Sequence, residues 1–178
     1  PELRKRAKAV NFGIVYGIGD YSLSVDLGIT KKQAGEYIAN YLARFHAIDS
    51  YLKDTVRMAY DHGFVETIFG RRRYIPELKA SNKMMRSFGE RVAMNSPIQG
   101  SAADIIKIAR VNTRNARAAA NLDARLILQV HDELVVEAAR TCADEAAMIL
   151  RREMENAVSL SVPLSVDLTV GDTWYENK

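Results

Sequence analysis

Four side chains near the start of the chain have the types and the spacing to bind a nucleotide. They lie four residues apart, at Arg4, Lys8, Phe12 and Tyr16. On a helix with about 3.6 residues per turn, this spacing places them on one oblique stripe, with the two cations ahead of the two aromatic rings. Cations can neutralise phosphates and aromatic rings can contact a sugar and a base, so the stripe matches the polarity of a nucleoside triphosphate. A basic amphipathic helix whose aromatic side chains face the core has the same spacing.

A polar tripeptide in the second half of the chain is a candidate metal-binding element. His131-Asp132-Glu133 separates two β-rich runs, residues 126–130 and 134–137, and this pattern predicts a hairpin with the tripeptide at its tip. Nucleotidyl transfer can use two Mg²⁺ ions about 3.5 to 4 Å apart, held by carboxylates. Asp132 is therefore a candidate ligand, although an ordinary polar turn has the same composition.

A metal site at this tip needs a further carboxylate. Neighbouring residues of an extended chain point to opposite faces, so Asp132 and Glu133 are not expected to share one ion fully. Asp104 and Asp167 are formally available, but Asp104 lies in a helical pattern and Asp167 on the polar face of a predicted strand.

Two further groups of polar side chains have the composition of a nucleic-acid surface. Arg91, Asn95 and Gln99 recur at four-residue steps, and such side chains can meet phosphates and groove acceptors. Gln99 also fits a structural role, because Ser96 three residues earlier would make it the glutamine of a capping box. The three arginines at 71–73 fit either phosphate contacts or a solvated turn.

The charge of the chain is divided unevenly along its length. Residues 1–120 hold 20 Lys and Arg against 11 Asp and Glu, whereas residues 121–178 hold 5 against 11. This asymmetry favours a polyanion-binding part followed by an acidic part, although ordinary fluctuation of charge would also produce it. The 178 residues are 48% hydrophobic, which is enough for a substantial core.

Several protein classes are excluded by composition. No apolar run reaches the length of about 18 residues that spans a bilayer, and the basic N-terminus lacks the apolar region of a signal peptide. The single cysteine, Cys142, excludes cysteine-based metal clusters and an internal disulfide, and it fits a reducing compartment. The chain begins without an initiator methionine, so we expect it to be a segment of a longer protein.

The first part of the chain is predicted to be helical. Residues 4–16 form a helix that ends at the glycines that follow, Thr30 and Gln33 form a capping box for the next helix, and a third helix closes at His62-Gly63. A short β-like run follows at 64–69. Residues 81–95 are helical, and Ser96-Pro97 is expected to begin a new helix as N-cap and first-turn proline.

The pattern changes after Asn121. Besides the hairpin, it predicts a helix from Thr141, with Ala143, Ala147, Leu150, Met154 and Val158 inward, and a half-buried strand over 164–170, where apolar and polar residues alternate. The expected fold is α+β, with a helical basic part followed by an antiparallel sheet packed on helices.

The order and spacing of four motifs resemble one known family. The segment Arg4-x-x-x-Lys8-x-x-x-Phe12-Gly13-x-x-Tyr16-Gly17 resembles the fingers motif of family A DNA polymerases, the bacterial DNA polymerase I type. The segment from Gln129 to Glu133 resembles the palm motif that carries a catalytic carboxylate. Residues 63–78 and 95–104 resemble further stretches of that polymerase in the same order.

The resemblance implies a fingers subdomain at 1–95 and the C-terminal part of a palm at 96–178. On this basis Arg4 and Lys8 bind the nucleotide's phosphates, with Lys8 also assisting pyrophosphate departure. Phe12 lies against the sugar, and Tyr16 sits at the insertion pocket. Asp132 is a catalytic metal ligand, and Glu133 is its catalytic neighbour. The implied DNA-binding residues are Arg73, Arg91, Asn95, Gln99 and His131.

The resemblance also implies partners and missing parts. The partners are primer–template DNA, dNTPs and two Mg²⁺ ions, whose second aspartate ligand lies outside this chain, and the implied location is the bacterial cytoplasm at the nucleoid, with no membrane association. We therefore expect a polymerase of which this piece alone is inactive. Because family members with phenylalanine at position 12 tend to reject dideoxynucleotides, the same is expected of this polymerase.

Two other functions fit the residues. A single-subunit RNA polymerase shares the palm and a related fingers motif, although Phe12-Gly13 before Tyr16-Gly17, and Glu133 after Asp132, favour the DNA enzyme. A non-catalytic DNA-binding module with a polymerase-like fold is the second alternative, and the intact Lys8, Tyr16 and Asp132 argue against it.

Overall fold

The chain forms two compact units, residues 1–100 and 101–178, and the division falls inside one long helix. The computed structural model describes the backbone of residues 2–177, with the side chains of Arg4 and residues 7–175. Within these residues helices predominate and the strands form two separate antiparallel pairs. The predicted α+β class is confirmed.

The N-terminal unit is helical apart from one short hairpin. Its elements are α1 (Glu2–Val15), α2 (Asp20–Leu27), α3 (Lys31–Arg44), α4 (His46–His62), β1 (Phe64–Glu66), β2 (Arg72–Tyr74), a 3-10 turn (Pro76–Lys79) and the first part of α5 (Lys83–Ala119). In the hairpin, Phe64 pairs with Tyr74 and Glu66 with Arg72.

The predicted helix ends in this unit are largely confirmed. The capping box of Thr30 and Gln33 is present at the start of α3, and Gly63 ends α4 with φ 79°, a left-handed conformation that favours glycine. Helix α2 was not predicted. It is only 8 residues long, and it lies between Gly19 at its N-cap and Gly28, with φ 64°, at its C-cap.

The predicted helix break at Ser96-Pro97 is wrong. Helix α5 is continuous from Lys83 to Ala119 with Pro97 inside it. The Ser96 hydroxyl donates 2.6 Å to the Val92 carbonyl, one turn back, rather than capping a new helix. Proline removes one backbone hydrogen bond, but the helical backbone continues on both sides of Pro97. Gln99 is therefore not a capping-box residue.

A small apolar core joins α4, the hairpin, the 3-10 turn and α5. Its buried members are Ala59, Val65, Ile75, Leu78 and Ala93. The 3-10 turn approaches α5 so closely that a methyl group added at Gly89 would lie 3.1 Å from the Leu78 backbone nitrogen. Tyr60 of α4 also donates 2.9 Å to Glu90 of α5. That hydrogen bond raises the pKa of the Tyr60 phenol, because the phenolate would face a carboxylate.

The C-terminal unit is built around the predicted hairpin. Strands β3 (Ala124–Val130) and β4 (Glu133–Ala138) are antiparallel, with a bulge between Leu126 and Leu128. Leu134 packs with Ile106 and Ala109 of α5 in the core of this unit.

Helix α6 (Ala143–Glu155) follows a 3-10 turn over Arg140–Cys142. Its predicted inward face is partly correct, because Leu150 and Met154 pack on the core. The most buried side chains are instead Ala146 and Ile149, and the helix ends before Val158. The true face is thus rotated by one position from the predicted one.

The strand predicted over 164–170 is absent from the described structure. Leu164, Val166 and Leu168 are half-buried and the residues between them exposed, so the alternation of faces is present. A strand also needs a neighbour for its backbone hydrogen bonds, and here the Val166 amide donates 3.2 Å to the Glu155 carboxylate. Among the described residues, no helix has the length and apolar character to cross a membrane.

Candidate nucleotide and nucleic-acid interface

The side chains of the predicted nucleotide stripe are exposed on helix α1 and just after its end. Phe12 is 51% exposed and Tyr16 39%, and their ring centroids are 6.2 Å apart at an interplanar angle of 26°. The Lys8 ammonium lies 5.7 Å from the Phe12 ring centre, and Arg4 is exposed. The alternative in which the aromatic rings face the core is therefore excluded.

Tyr16 stands at the helix terminus because the backbone turns sharply there. The Tyr16 amide donates 3.0 Å to the Phe12 carbonyl, and the Ile18 amide donates 2.8 Å to Gly13. Gly17 has φ 71°, and a methyl group added to it would lie 2.5 Å from the Met94 side chain and 3.0 Å from that of Arg91. A glycine is required at this position because the turn both needs a left-handed residue and approaches α5 closely.

The close approach at Gly17 brings Arg91, a predicted site residue that is distant in sequence, next to the nucleotide stripe. Phe12, Tyr16 and Arg91 line one open cleft of about 620 Å³, a volume typical of small-molecule sites. The other lining residues are Ala9, Gly13, Gly17, Ile18, Gly19, Ser22 and Asp26. Ser22 and Asp26 belong to α2 and were not predicted as site residues. The glycines that flank α2, at 19 and 28, are the signal that could have revealed this helix.

The polar row continues from Arg91 along α5. Because the helix is continuous, Arg91, Asn95 and Gln99 form one stripe on its surface. Arg91 and Gln99 are exposed and Asn95 is half-buried. The Asn95 Oδ1 atom is buried and has no hydrogen-bond partner within the described part of the chain. The row therefore presents a cation and two amides.

The arginine run lies at the start of the second strand of the N-terminal hairpin, with Arg71 just before β2, and all three side chains are exposed. Arg72 donates 2.8 Å to Glu66 and its guanidinium lies 4.5 Å from the Phe64 ring centre. Hydrogen bonding to Glu66, and secondarily to Tyr74, raises the pKa of Arg72. Arg71 donates 3.0 Å to the carbonyl of Gly100 in α5. Arg73 is exposed, with no ion-pair partner among the described residues.

The predicted acidic tip is a two-residue turn. Val130 pairs with Glu133, so only His131 and Asp132 connect the strands, and Glu133 begins β4. His131 has φ 53°, an unusual backbone conformation for a residue with a side chain. All three side chains of the tripeptide are exposed.

Asp132 fits one ligand position of a Mg²⁺ site, because it presents an exposed carboxylate oxygen pair at a turn. Within residues 2–177, no group of three or more His, Cys, Asp or Glu side chains is arranged to hold a metal ion. The described residues therefore fit a contribution to a metal site rather than a complete one.

Comparisons with known proteins agree over the whole chain. Residues 1–176 match the profile of DNA polymerase family A. DNA polymerase I of Caldicellulosiruptor bescii is 52% identical over 178 residues, all of this chain and 21% of that protein. DNA polymerase I of Bacillus subtilis is 51% identical over 176 residues, 99% of this chain and 20% of that protein.

A solved structure shows the same fold. The polymerase domain of Pol1 from M. smegmatis, in complex with DNA primer-template and dNTP, aligns with a TM-score of 0.89 and 45% identity. The alignment covers 93% of this chain and 29% of that one. This chain spans about a fifth of the length of the curated relatives it matches. The four sequence motifs, the profile match and the shared fold together establish that the chain belongs to DNA polymerase family A.

Proposed function

We propose that this chain is part of a template-directed DNA polymerase that adds dNTPs to a primer 3′ end, with fingers at 1–95 and palm at 96–178. The observation that carries the proposal is the exposed stripe of α1, in which cations precede two stacked aromatic rings that share a cleft with Arg91. The ligands in the M. smegmatis structure, DNA primer-template and dNTP, support deoxynucleotides as the substrates.

In the N-terminal unit, Lys8 and Arg4 bind the phosphates of the incoming nucleotide. Both are basic side chains exposed on α1. Lys8 also stabilises the charge that develops on the departing pyrophosphate, or donates a proton to it. The exposed face of Phe12 contacts the sugar, and Tyr16, at the helix end, contacts the insertion pocket near the template base.

The row on α5 and the arginine of the hairpin bind DNA. Arg91 and Asn95 hold the template and primer near the terminal pair, and Arg73 contacts a phosphate. Gln99 reads the minor-groove face of that pair, where correct pairs present acceptors in similar places.

The tip of the β3–β4 hairpin supplies the residues of the C-terminal unit that hold metal and contact the primer-terminal pair. Asp132 is one of two aspartates that hold Mg²⁺, and Glu133 is its neighbour in the site. Two bound Mg²⁺ ions would activate the attacking primer oxygen and stabilise the leaving oxygen. His131, like Gln99, contacts the minor-groove face of the primer-terminal pair. The site of action is the bacterial cytoplasm, at the nucleoid.

The isolated 178-residue chain is expected to be inactive as a polymerase. Its described residues bring no group of three or more possible metal ligands together, and the second aspartate must come from another part of the complete polymerase. The complete polymerase is therefore the form in which the proposal is tested.

The test is primer extension with Mg²⁺ and dNTPs. It is run on the isolated chain and on the complete polymerase, each with and without Asp132→Ala. Glu137→Ala, which removes an exposed carboxylate further along β4, is the matched control. We expect activity only in the complete polymerase, lost by more than about 100-fold in Asp132→Ala and retained in Glu137→Ala. Full activity of the Asp132→Ala polymerase would overturn the metal-ligand role.

A further inference from the structure

We propose that Arg71 is a positioning residue, which holds the turn of helix α5 that carries Gln99 by donating a hydrogen bond to the Gly100 carbonyl. The Nη2–oxygen distance is 3.0 Å. Gly100 directly follows Gln99, so a shift of its carbonyl moves the Gln99 backbone. The inference rests on the proposed function, because a shift of this turn would change activity through the proposed contact of Gln99 with DNA.

The loop that presents Arg71 is held closed by its own hydrogen bonds. Thr67 Oγ1 accepts from the amides of Phe69, at 3.3 Å, and Arg71, at 3.2 Å. The Thr67 amide donates 3.0 Å to the Arg71 carbonyl. Gly70 adopts φ 76° within the loop. The Arg71 backbone is thereby fixed at the end of the β1–β2 hairpin, and its guanidinium reaches α5 from a defined origin.

The loop also packs directly on the helix at the same residue. A methyl group added at Gly100 would lie 2.6 Å from Thr67 Cγ2 and 3.6 Å from Arg71 Nη2. Gly89 and Ala93 lie on the same helical face, at steps of four and seven residues. This face contacts the segment from β1 to the 3-10 turn. The row of Arg91, Asn95 and Gln99 lies about 100° to 180° around the helix from this face, and Gln99 is the nearest of the three.

The turn of α5 that Arg71 contacts lacks one of the backbone hydrogen bonds of a regular helix. Pro97 has no amide hydrogen, so the backbone hydrogen bond to the residue four positions earlier is missing two residues before Gln99. A contact from outside the helix can replace part of the support that the missing bond would give. The guanidinium of Arg71 provides a charge-assisted bond at this point.

The neighbouring Arg72 provides a matched control. It has the same charge, but its guanidinium donates a hydrogen bond to Glu66 within the hairpin. Among the described residues, it makes no hydrogen bond to α5. In the complete polymerase, we compare single-turnover primer extension by Arg71→Ala, Gln99→Ala, the double variant and Arg72→Ala. We expect Arg71→Ala and Gln99→Ala each to slow extension about 10-fold. The double variant should be no slower than the slower single variant, and Arg72→Ala should stay within about 2-fold.

Salt dependence distinguishes positioning from a direct phosphate contact. If Arg71 acts on the helix, Arg71→Ala should leave the slope of log Kd for primer–template against log salt unchanged. A reduction of that slope by about 1 would identify a phosphate contact and overturn the inference. Additive effects of Arg71→Ala and Gln99→Ala would also overturn it.

A second pair of variants tests the contact without removing the arginine. Gly100→Ala should slow extension about 10-fold by forcing the loop away from the helix. Adding Thr67→Ser removes Cγ2 but keeps Oγ1, so the double variant should recover most of the rate. Failure of Thr67→Ser to rescue Gly100→Ala would overturn the inference.

The Gln99→Ala variant distinguishes a failure of the proposed function from a failure of the role proposed for Arg71. If Gln99→Ala leaves extension unchanged, the proposed role of Gln99 is wrong, and the positioning role of Arg71 is wrong with it. If Gln99→Ala slows extension while Arg71→Ala does not, only the inference about Arg71 is overturned.

Discussion

Different interactions position the nucleotide stripe of α1 and the acidic tip of the β3–β4 hairpin. Lys8, Phe12 and Tyr16 are aligned by the period of a single helix, and their mutual distances follow from neighbours four residues apart. Asp132 is placed by the pairing of two strands and by the packing of Leu134 against α5. The first arrangement is local, and the second depends on residues far apart in sequence.

The difference predicts how each region responds to substitution. On α1, removing a side chain that touches the ligand should remove its own interaction and leave its neighbours in place. At the hairpin, a buried residue that never contacts a ligand can move the tip, because packing sets the position of the strands.

The largest expected effect comes from the local region. Lys8→Ala in the complete polymerase should lower kcat/KM for dNTP by on the order of 100-fold or more, because it removes the cation that we propose binds the phosphates. Steady-state primer extension measures this ratio. Lys32→Ala, an exposed lysine of α3, is the charge-matched control, and equal losses in both variants would show that only general charge matters.

The next effect tests the long-range region. Leu134→Ala should lower the free energy of unfolding by about 3 kcal/mol, because it leaves a cavity beside Ile106 and Ala109. Urea unfolding of the chain, with hydrogen exchange at the β3 and β4 amides, measures the change. Leu128→Ala, at a position 45% exposed in the adjacent strand, should cost less than about 1 kcal/mol. Equal costs at the two positions would contradict the described packing.

The contact proposed between Phe12 and the nucleotide sugar gives the next prediction. Phe12→Tyr should raise the use of dideoxynucleotides relative to dNTPs by on the order of 10-fold, because a phenolic hydroxyl can replace the bonding lost with the 3′-hydroxyl. Competition between ddNTP and dNTP in primer extension measures the ratio. An unchanged ratio would show that Phe12 does not contact the sugar.

The smallest expected effect concerns the strained tip. His131→Gly should stabilise the chain by about 0.5 kcal/mol, because glycine tolerates a positive φ, while slowing extension in the complete polymerase. Asn121, with φ 51°, is the matched control. Asn121→Gly should raise the urea midpoint similarly and leave extension unchanged. Loss of activity in both variants would indicate a backbone effect rather than a role of the imidazole.

Elements with strong local signals were predicted correctly. The capping box at Thr30, the glycine end of α4 and the β3–β4 hairpin all depend on residues within a few positions of one another, although the hairpin turn is one residue shorter than the predicted tripeptide because Glu133 begins β4. The errors lie where tertiary packing overrode local preference. Pro97 is expected to end a helix, but α5 continues through it. The alternation at 164–170 gives the expected half-buried face at Leu164, Val166 and Leu168 without a partner strand, but Val170, which was predicted on that face, is exposed.

The sequence by itself determined the α1 stripe, the hairpin tip and the resemblance to DNA polymerase family A, because these depend on spacing and residue type. Only the tertiary structure decided that Arg91 shares a cleft with Phe12 and Tyr16, that α2 lines it, and that Arg71 bonds to Gly100. The physical reason is that the contacts of Arg91 and of Arg71 join residues tens of positions apart. Their geometry follows from the close approach allowed at Gly17, Gly89 and Gly100, which no local pattern records.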